Sequence, residues 1–342
     1  MTKKKVSIDD IAKSLGVSKT LVSLVINNKA EKHGISKTTQ KKVWDKVAEM
    51  NYKPNMMARS LRLGKSNTIG LIVSDISNPF YSKMARQVED LAQKKGYNLI
   101  ICSTDENIEK ELNLIKMLKG RQVDGLIISS SQKKSEELSA LLKDNYPSVF
   151  IDRCIPRLKA NYVTVDNTKG AYEAVEHLIQ QGYDKIAAFA ISPIHVSTIN
   201  DRIQGYLRAV KDHEKTYNNS LLVEIPFNNI KAAVRKEMKK INDAKEGVRA
   251  IFALNNHIAT ACLEAAQEMK IRIPDDIALV SFDDIDAFRL TSPSISAVMQ
   301  PLDEICDHAV KILFYEITNK TDNEKKHVVL QTRLVIRRSS VL

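Results

Sequence analysis

The stretch Ser7-Ile8-Asp9-Asp10-Ile11-Ala12-Lys13-Ser14-Leu15-Gly16-Val17-Ser18-Lys19-Thr20-Leu21-Val22-Ser23-Leu24-Val25-Ile26 carries two short amphipathic runs separated by a single glycine. Ser7, with an acid three residues on at Asp10, is the pattern that opens a helix. Ile8, Ile11, Ala12 and Leu15 then share one face. Gly16 stops the run in a left-handed conformation. Ser18 caps a second helix whose buried stripe is Leu21, Val22 and Val25, while Lys19, Thr20, Ser23 and Leu24 point elsewhere. Ser36 begins a third, from Lys37 to about Glu49, with Val43, Trp44, Val47 and Met50 as its apolar positions. Such short helices are marginal alone. Around one shared core they make a helix-turn-helix domain, which places its second helix in the major groove. A small helical bundle that binds a protein partner is the competing reading.

The location of charge argues against that competitor. The chain of 342 residues carries 52 Lys and Arg against 41 Asp and Glu, a net charge of +11. Residues 1–66 hold fifteen of the bases and five of the acids. Nearly all of the surplus therefore sits in the first fifth of the chain, a concentrated footprint for phosphates. The remaining length suffices for a large core in one or two further units. No apolar run reaches 18 residues and no signal-peptide pattern follows the basic start, so a cytoplasmic protein without a membrane partner is expected. Cys102, Cys154, Cys262 and Cys306 lie far apart and read as reduced core residues.

The first segment resembles the headpiece of the LacI/GalR family of bacterial transcriptional regulators. Ile11-Ala12, Gly16-Val17-Ser18, Val22-Ser23 and Asn27 carry the likeness; Leu21 departs from the usual threonine. The resemblance implies DNA contacts from Ser7, Ser18, Lys19, Thr20, Ser23, Leu24 and Asn27, with Lys19, Thr20 and Leu24 reading base edges. Leucine at 24 cannot donate a hydrogen bond and suits a thymine methyl. Tyr52-Lys53-Pro54-Asn55-Met56-Met57-Ala58-Arg59-Ser60-Leu61-Arg62 is too short for a stable free helix and matches the family's hinge helix. The resemblance gives Asn55, Ala58 and Arg59 to the minor groove. It makes Leu61 a wedge that kinks the duplex, at a CpG step; a core leucine docking on the next domain is the other reading of Leu61.

From Thr68 onward, strand-like apolar runs alternate with helical segments. Ile69–Val73, Tyr97–Cys102, Gly125–Ile128 and Ser148–Ile151 form one set. After Tyr162–Asp166 a second set follows: Ile186–Ala190, Leu221–Ile225, Ala250–Ala253 and Ile277–Phe282. Nearly continuous apolar strands separated by helices indicate parallel sheets covered on both faces. The fold class expected is multidomain α plus α/β: an all-α helix-turn-helix headpiece and hinge helix, then two doubly wound parallel-sheet lobes. The headpiece spans 1–50, the hinge and linker 51–66, and the effector-binding and dimerisation core 67–342. Lobe 1 takes about 67–161 plus 292–325, lobe 2 about 162–291 plus 326–342, with crossings near 161, 291 and 325.

Open sheets of this kind bind ligands beyond the carboxyl ends of their strands. That rule selects Asp75–Tyr81, Asp105, Asp152-Arg153, Asp166, Ser192–Arg202, Asn255-Asn256 and Phe282-Asp283-Asp284. Polar groups beside Phe80, Tyr81 and Phe282 suit a sugar ring or a flat heterocycle. The body is similar to the family's periplasmic-binding-protein-like core (type I), through Ser77-Asn78-Pro79-Phe80, Asp152-Arg153, Gly205-Tyr206 and Phe282-Asp283-Asp284 among others. This resemblance implies that Arg202 and Asp283 are the strongest effector contacts, with Asn78, Phe80, Asp105, Arg153, Asn255 and Phe282 beside them. Asn256 in place of aspartate, Ser281 in place of glycine, and Pro226–Ala232 without a Gly-Tyr pair depart from the family near the cleft.

No Gly-x-Gly-x-x-Gly, P-loop, Gly-x-Ser-x-Gly or His-Glu-x-x-His occurs, and the seven histidines have no metal spacing. No enzyme, cofactor or metal is expected. The reading is a sequence-specific DNA-binding regulator, a repressor, controlled by a small effector between the lobes, a sugar or sugar derivative. The alternative is a corepressor-dependent regulator or activator responding to a non-sugar metabolite. A stand-alone ligand-binding module is the remote one. The partners expected are pseudopalindromic double-stranded DNA, the effector and a second copy of the chain. Lobe 1, with a return segment near 297–320, would form the homodimer contact.

Overall fold

A hydroxyl opens each of the first three helices. In the computed structural model, α1 (Ile8–Leu15), α2 (Lys19–Ile26) and α3 (Lys37–Glu49) are capped by Ser7, Ser18 and Ser36. At α1 the capping box is reciprocal: Asp10 N–H donates to Ser7 Oγ at 3.3 Å and Ser7 N–H donates to Asp10 Oδ2 at 2.9 Å. Gly16 sits at φ 65°, a left-handed cap that lets α2 leave at once. Ile11, Ala12, Val22, Val25, Ala30 and Val43 form the shared core, with Leu21, Val47 and Met50 at its edge. Trp44 does not join it. One residue on from Val43 it is turned about 100° around the helix, and it is 43% exposed.

The structure describes residues 6–52, 64–133, 135–142, 145–215, 221–244, 247–319 and 324–341. The chain divides into two units, Met1–Ser66 and Asn67–Leu342. In the second unit, lobe 1 is built on β1 (Thr68–Val73), β2 (Asn98–Ser103), β3 (Gly125–Ile128), β4 (Ser148–Ile151), β5 (Asn161–Val165) and β11 (His327–Leu330). Their order is β11-β5-β4-β3-β1-β2, every pair parallel. Around this sheet lie α4 (Pro79–Lys94), α5 (Ile108–Gly120), α6 (Glu136–Leu142) and α12 (Leu302–Thr318).

Lobe 2 repeats the plan with β6 (Ile186–Ile191), β7 (Leu222–Ile225), β8 (Ala250–Ala253), β9 (Ala278–Phe282), β10 (Ser296–Met299) and β12 (Arg333–Val335). Here the order is β12-β10-β9-β8-β6-β7, parallel except for the β10–β12 pair. Its helices are α7 (Asn167–Gln180), α8 (Ser197–Asp212), α9 (Ile230–Asp243), α10 (Asn256–Met269) and the short α11 (Ala287–Leu290). Helices α7 and α8 approach closely because residue 205 is glycine. A Cβ there would lie 2.3 Å from the Thr168 carbonyl oxygen and 2.8 Å from the Ala171 Cβ.

The lobe crossings differ from the sequence expectation of 161, 291 and 325. Strand β5 pairs with β4 and β11, so the first crossing follows Val165. Strand β10 lies beside β9, moving the second past Met299; the third falls between β11 and β12, at Gln331-Thr332. An apolar run signals a strand but not which sheet accepts it, and here long-range pairing decides.

Both sheets reverse strand order between their first and third strands in sequence, β1/β3 and β6/β8. Loops at the carboxyl ends of these strands therefore splay apart and open a crevice.

Candidate functional site

In the headpiece, Lys19 and Thr20 are exposed at the start of α2, and Leu24 is half-buried one turn on. The hydroxyls of Ser7 and Ser18 cap α1 and α2. Asn27 turns back on its own helix, donating from Nδ2 to the Ser23 carbonyl at 2.7 Å. Asn55, Ala58, Arg59 and Leu61 lie outside the described residues.

In the core, loops from both sheets meet in a cleft lined by Asp75, Asn78, Phe80, Tyr81, Asp152, Arg153 and Glu106 from lobe 1. Lobe 2 supplies Ile191, Thr198, Ile199, Arg202, Phe227, Asn255, His257 and Asp283. Six of the eight expected effector residues are thus brought together. Asn78 and Asn255 each cap a helix, α4 and α10. Phe80 packs edge-on against Tyr81 with ring centroids 5.1 Å apart.

Two buried arginines organise the walls. Arg202 donates from Nε to Asn167 Oδ1 at 2.9 Å and from Nη1 to the Leu254 carbonyl at 2.7 Å. Its Nη1 also lies 3.6 Å from Asp283 Oδ2. The guanidinium rests 3.6 Å from the centre of the Phe282 ring. Phe282 is fully buried beneath it and does not line the cleft, a correction to its expected role as a platform. An aromatic at the end of a buried strand faces its own core, and the following residue turns outward. That residue is Asp283, at φ 71° and held by a 2.6 Å hydrogen bond from Gln300 Nε2. Burial raises its carboxyl pKa, and Arg202 and Gln300 pull it back.

On the facing wall, Arg153 makes a bidentate pair with Glu106, Nη1–Oε2 2.8 Å and Nη2–Oε1 2.6 Å. Burial works to raise the Glu106 pKa. The Arg153 charge and hydrogen bonds from Arg153, Ser131 and Ser74 outweigh it and hold the carboxyl below the usual range. Glu106 takes the place expected of Asp105, which is exposed and pairs with Lys110. Adjacent residues at a strand end point in different directions, and the pairing with buried Arg153 selects Glu106 over the Asp105 expected from sequence. Tyr81 donates its hydroxyl to Asp152 Oδ2 at 2.8 Å, and burial pushes the phenol pKa up. The His257 pKa is lowered by burial, against the pull of Asp75 and Asp283. Phe227, Thr198 and Ile199 are further lining residues; Phe227 belongs to the segment already marked as unusual.

Among the described residues no helix is long and apolar enough to cross a membrane. Nor does any group of His, Cys, Asp and Glu among them stand ready to hold a metal ion.

A helix-turn-helix headpiece on the same chain as two doubly wound lobes around a polar cleft defines a ligand-responsive DNA-binding regulator. Residues 7–55 match the family model for bacterial regulatory proteins of the lacI family, and 175–340 that for a periplasmic binding protein-like domain. The HTH-type transcriptional repressor PurR of Aliivibrio fischeri (strain MJ11) is 34% identical over 98% of both chains. The ribose operon repressor of Halalkalibacterium halodurans is also 34% identical, over 98% of this chain and 97% of that one. The lac repressor dimer bound to operator and the anti-inducer ONPF superposes with a TM-score of 0.82 over 99% of this chain and 100% of that one; at 22% identity it shows the shared fold. The chain belongs to the LacI/GalR family of bacterial transcriptional regulators, as a DNA-binding, effector-responsive member.

Proposed function

We propose that this chain is a homodimeric repressor and that a compact, flat, non-sugar metabolite between its lobes acts as corepressor. The observation that carries the choice of ligand is how the polar groups at the cleft are already engaged. Arg153 is bound bidentately to Glu106, Asp152 accepts from Tyr81, and Arg202 is anchored by Asn167 and the Leu254 carbonyl. A sugar ring carries hydroxyls around its edge, and each needs a partner when buried. Among its polar groups the cleft also offers apolar faces, Phe80, Tyr81, Ile191, Ile199 and Phe227, against which a flat ring can lie. Full-length similarity to repressors named PurR supports the repressor sense. A ligand that contacts both lobes favours their closure, and closure would set how the two hinge segments pair on DNA.

A sugar inducer is the second reading, favoured by the equal similarity to a ribose operon repressor. Selection of bound duplexes from a random library, repeated with heterocyclic metabolites and with sugars, separates the two. Tighter recovery of one pseudopalindrome with heterocycles supports the corepressor. Release by a sugar, with no effect of heterocycles, overturns it.

A further inference from the structure

Among the described residues, polar contacts that cross from lobe 1 to lobe 2 around the cleft include four whose surroundings differ. Lys83 Nζ lies 2.7 Å from Asp286 Oδ2, but the two side chains are 45% and 61% exposed, so water screens the pair. His195 Nε2 lies 3.3 Å from the Ser131 carbonyl. Cys154 N–H donates to Ser197 Oγ at 2.8 Å. Asn256 Nδ2 donates to Asn78 Oδ1 at 2.9 Å, between residues that are 0% and 8% exposed. That amide pair is the most deeply buried of the four.

The pair also has a fixed direction. Asn78 Oδ1 accepts from Phe80 N–H at 3.0 Å, as the cap of α4. Its carbonyl oxygen is therefore held towards the helix, and whatever faces it must donate. Asn256 meets that need with its NH2 group, which leaves its own Oδ1 buried and without a hydrogen-bond partner. A buried acceptor left in this way regains a partner from water when the lobes part. The contact thus favours closure through one atom and keeps opening accessible through the other.

We propose that Asn256 and Asn78 form a directional latch that sets the resting closure of the two lobes. Asn256 is then a positioning residue for the effector response, acting through Asn78 from outside the lining of the cleft. The effect on operator affinity rests on the reading of the cleft as the control site. The latch itself does not, because closure is measurable with neither effector nor DNA.

The Cys154 amide, bonded across the cleft, is a built-in reporter of closure. Hydrogen exchange of the full-length protein, followed by mass spectrometry, compares the peptide covering Cys154 with peptides from β3 and β9. Asn256→Asp turns the donor into an acceptor facing an acceptor, and should speed exchange at Cys154 roughly tenfold, the loss of one buried hydrogen bond. Asn78→Asp offers a carboxylate to the same two donors and should slow exchange below wild type. Asn256→Leu, which removes the donor without adding a charge, should fall between wild type and Asn256→Asp. Unchanged exchange at Cys154, a shift of the same sign in both aspartate variants, or equal acceleration in β3 and β9 would each overturn the latch. Operator affinity of the same variants tests the control reading separately: closure that shifts while affinity does not refutes that reading and leaves the latch standing.

Discussion

At the scale of single residues, the cleft is governed by two buried arginines, Arg153 and Arg202. Arg153 is held in place by Glu106, and breaking a buried pair strands the surviving ion. Glu106→Ala should therefore destabilise the core by roughly 3–5 kcal/mol, read from urea unfolding; a loss below about 1 kcal/mol would mean that Arg153 finds another partner or water. The pair also sets a pH dependence. Because Glu106 titrates below its unfolded value, its contribution is complete above the ordinary carboxylate range and is lost as pH falls through the lowered pKa. Glu106→Gln should flatten the acid limb of the stability profile in that window. Arg202 stands apart, since its guanidinium lies at the cleft between Asp283 and the Phe282 ring. Arg202→Ala should abolish the effector response in an operator-binding titration while basal DNA binding persists, and an unchanged dose response would remove it from the site.

At the scale of elements, close approach and the hinge resemblance carry the predictions. Helices α7 and α8 meet where Gly205 leaves no room for a Cβ. Gly205→Ala should force them apart and cost about 1–3 kcal/mol, visible as a lower melting temperature of the core without loss of headpiece folding. The resemblance of the segment around Leu61 to the family's hinge supports the proposal that it acts on DNA. If it orders on DNA with Leu61 as a wedge, Leu61→Ala should weaken operator binding strongly and leave effector binding nearly intact. Equal operator affinity would return Leu61 to the ordinary role of a packing residue.

At the scale of the whole molecule, charge and ligand chemistry are segregated along the chain. The basic surplus in residues 1–66 implies binding dominated by phosphates. Operator affinity should fall on the order of 10³–10⁵-fold between about 50 and 200 mM salt, while effector affinity, set in a cleft whose arginines are buried and less screened, changes little. A shallow salt dependence would argue that the headpiece makes few phosphate contacts.

Local chemistry alone determined the helix-turn-helix unit. Ser7, Ser18 and Ser36 cap helices whose apolar spacing is written within a dozen residues, and Gly16 makes the turn with no help from elsewhere. The alternation of apolar strands and helices after Thr68 likewise determined two doubly wound lobes, and with them the strand ends where a ligand would sit. Tertiary structure decided what depends on partners distant in sequence. It assigned β5 to the first sheet and β10 to the second, because a short apolar strand carries no label for the sheet that will pair with it. It chose Glu106 over Asp105, because one carboxylate reaches the buried Arg153 and its neighbour faces solvent. It buried Phe282 under Arg202, exposed Trp44, and set Asn256 against Asn78 across 178 positions of sequence. Periodicity and capping are properties of neighbouring residues; pairing, burial and charge neutralisation exist only once remote segments meet.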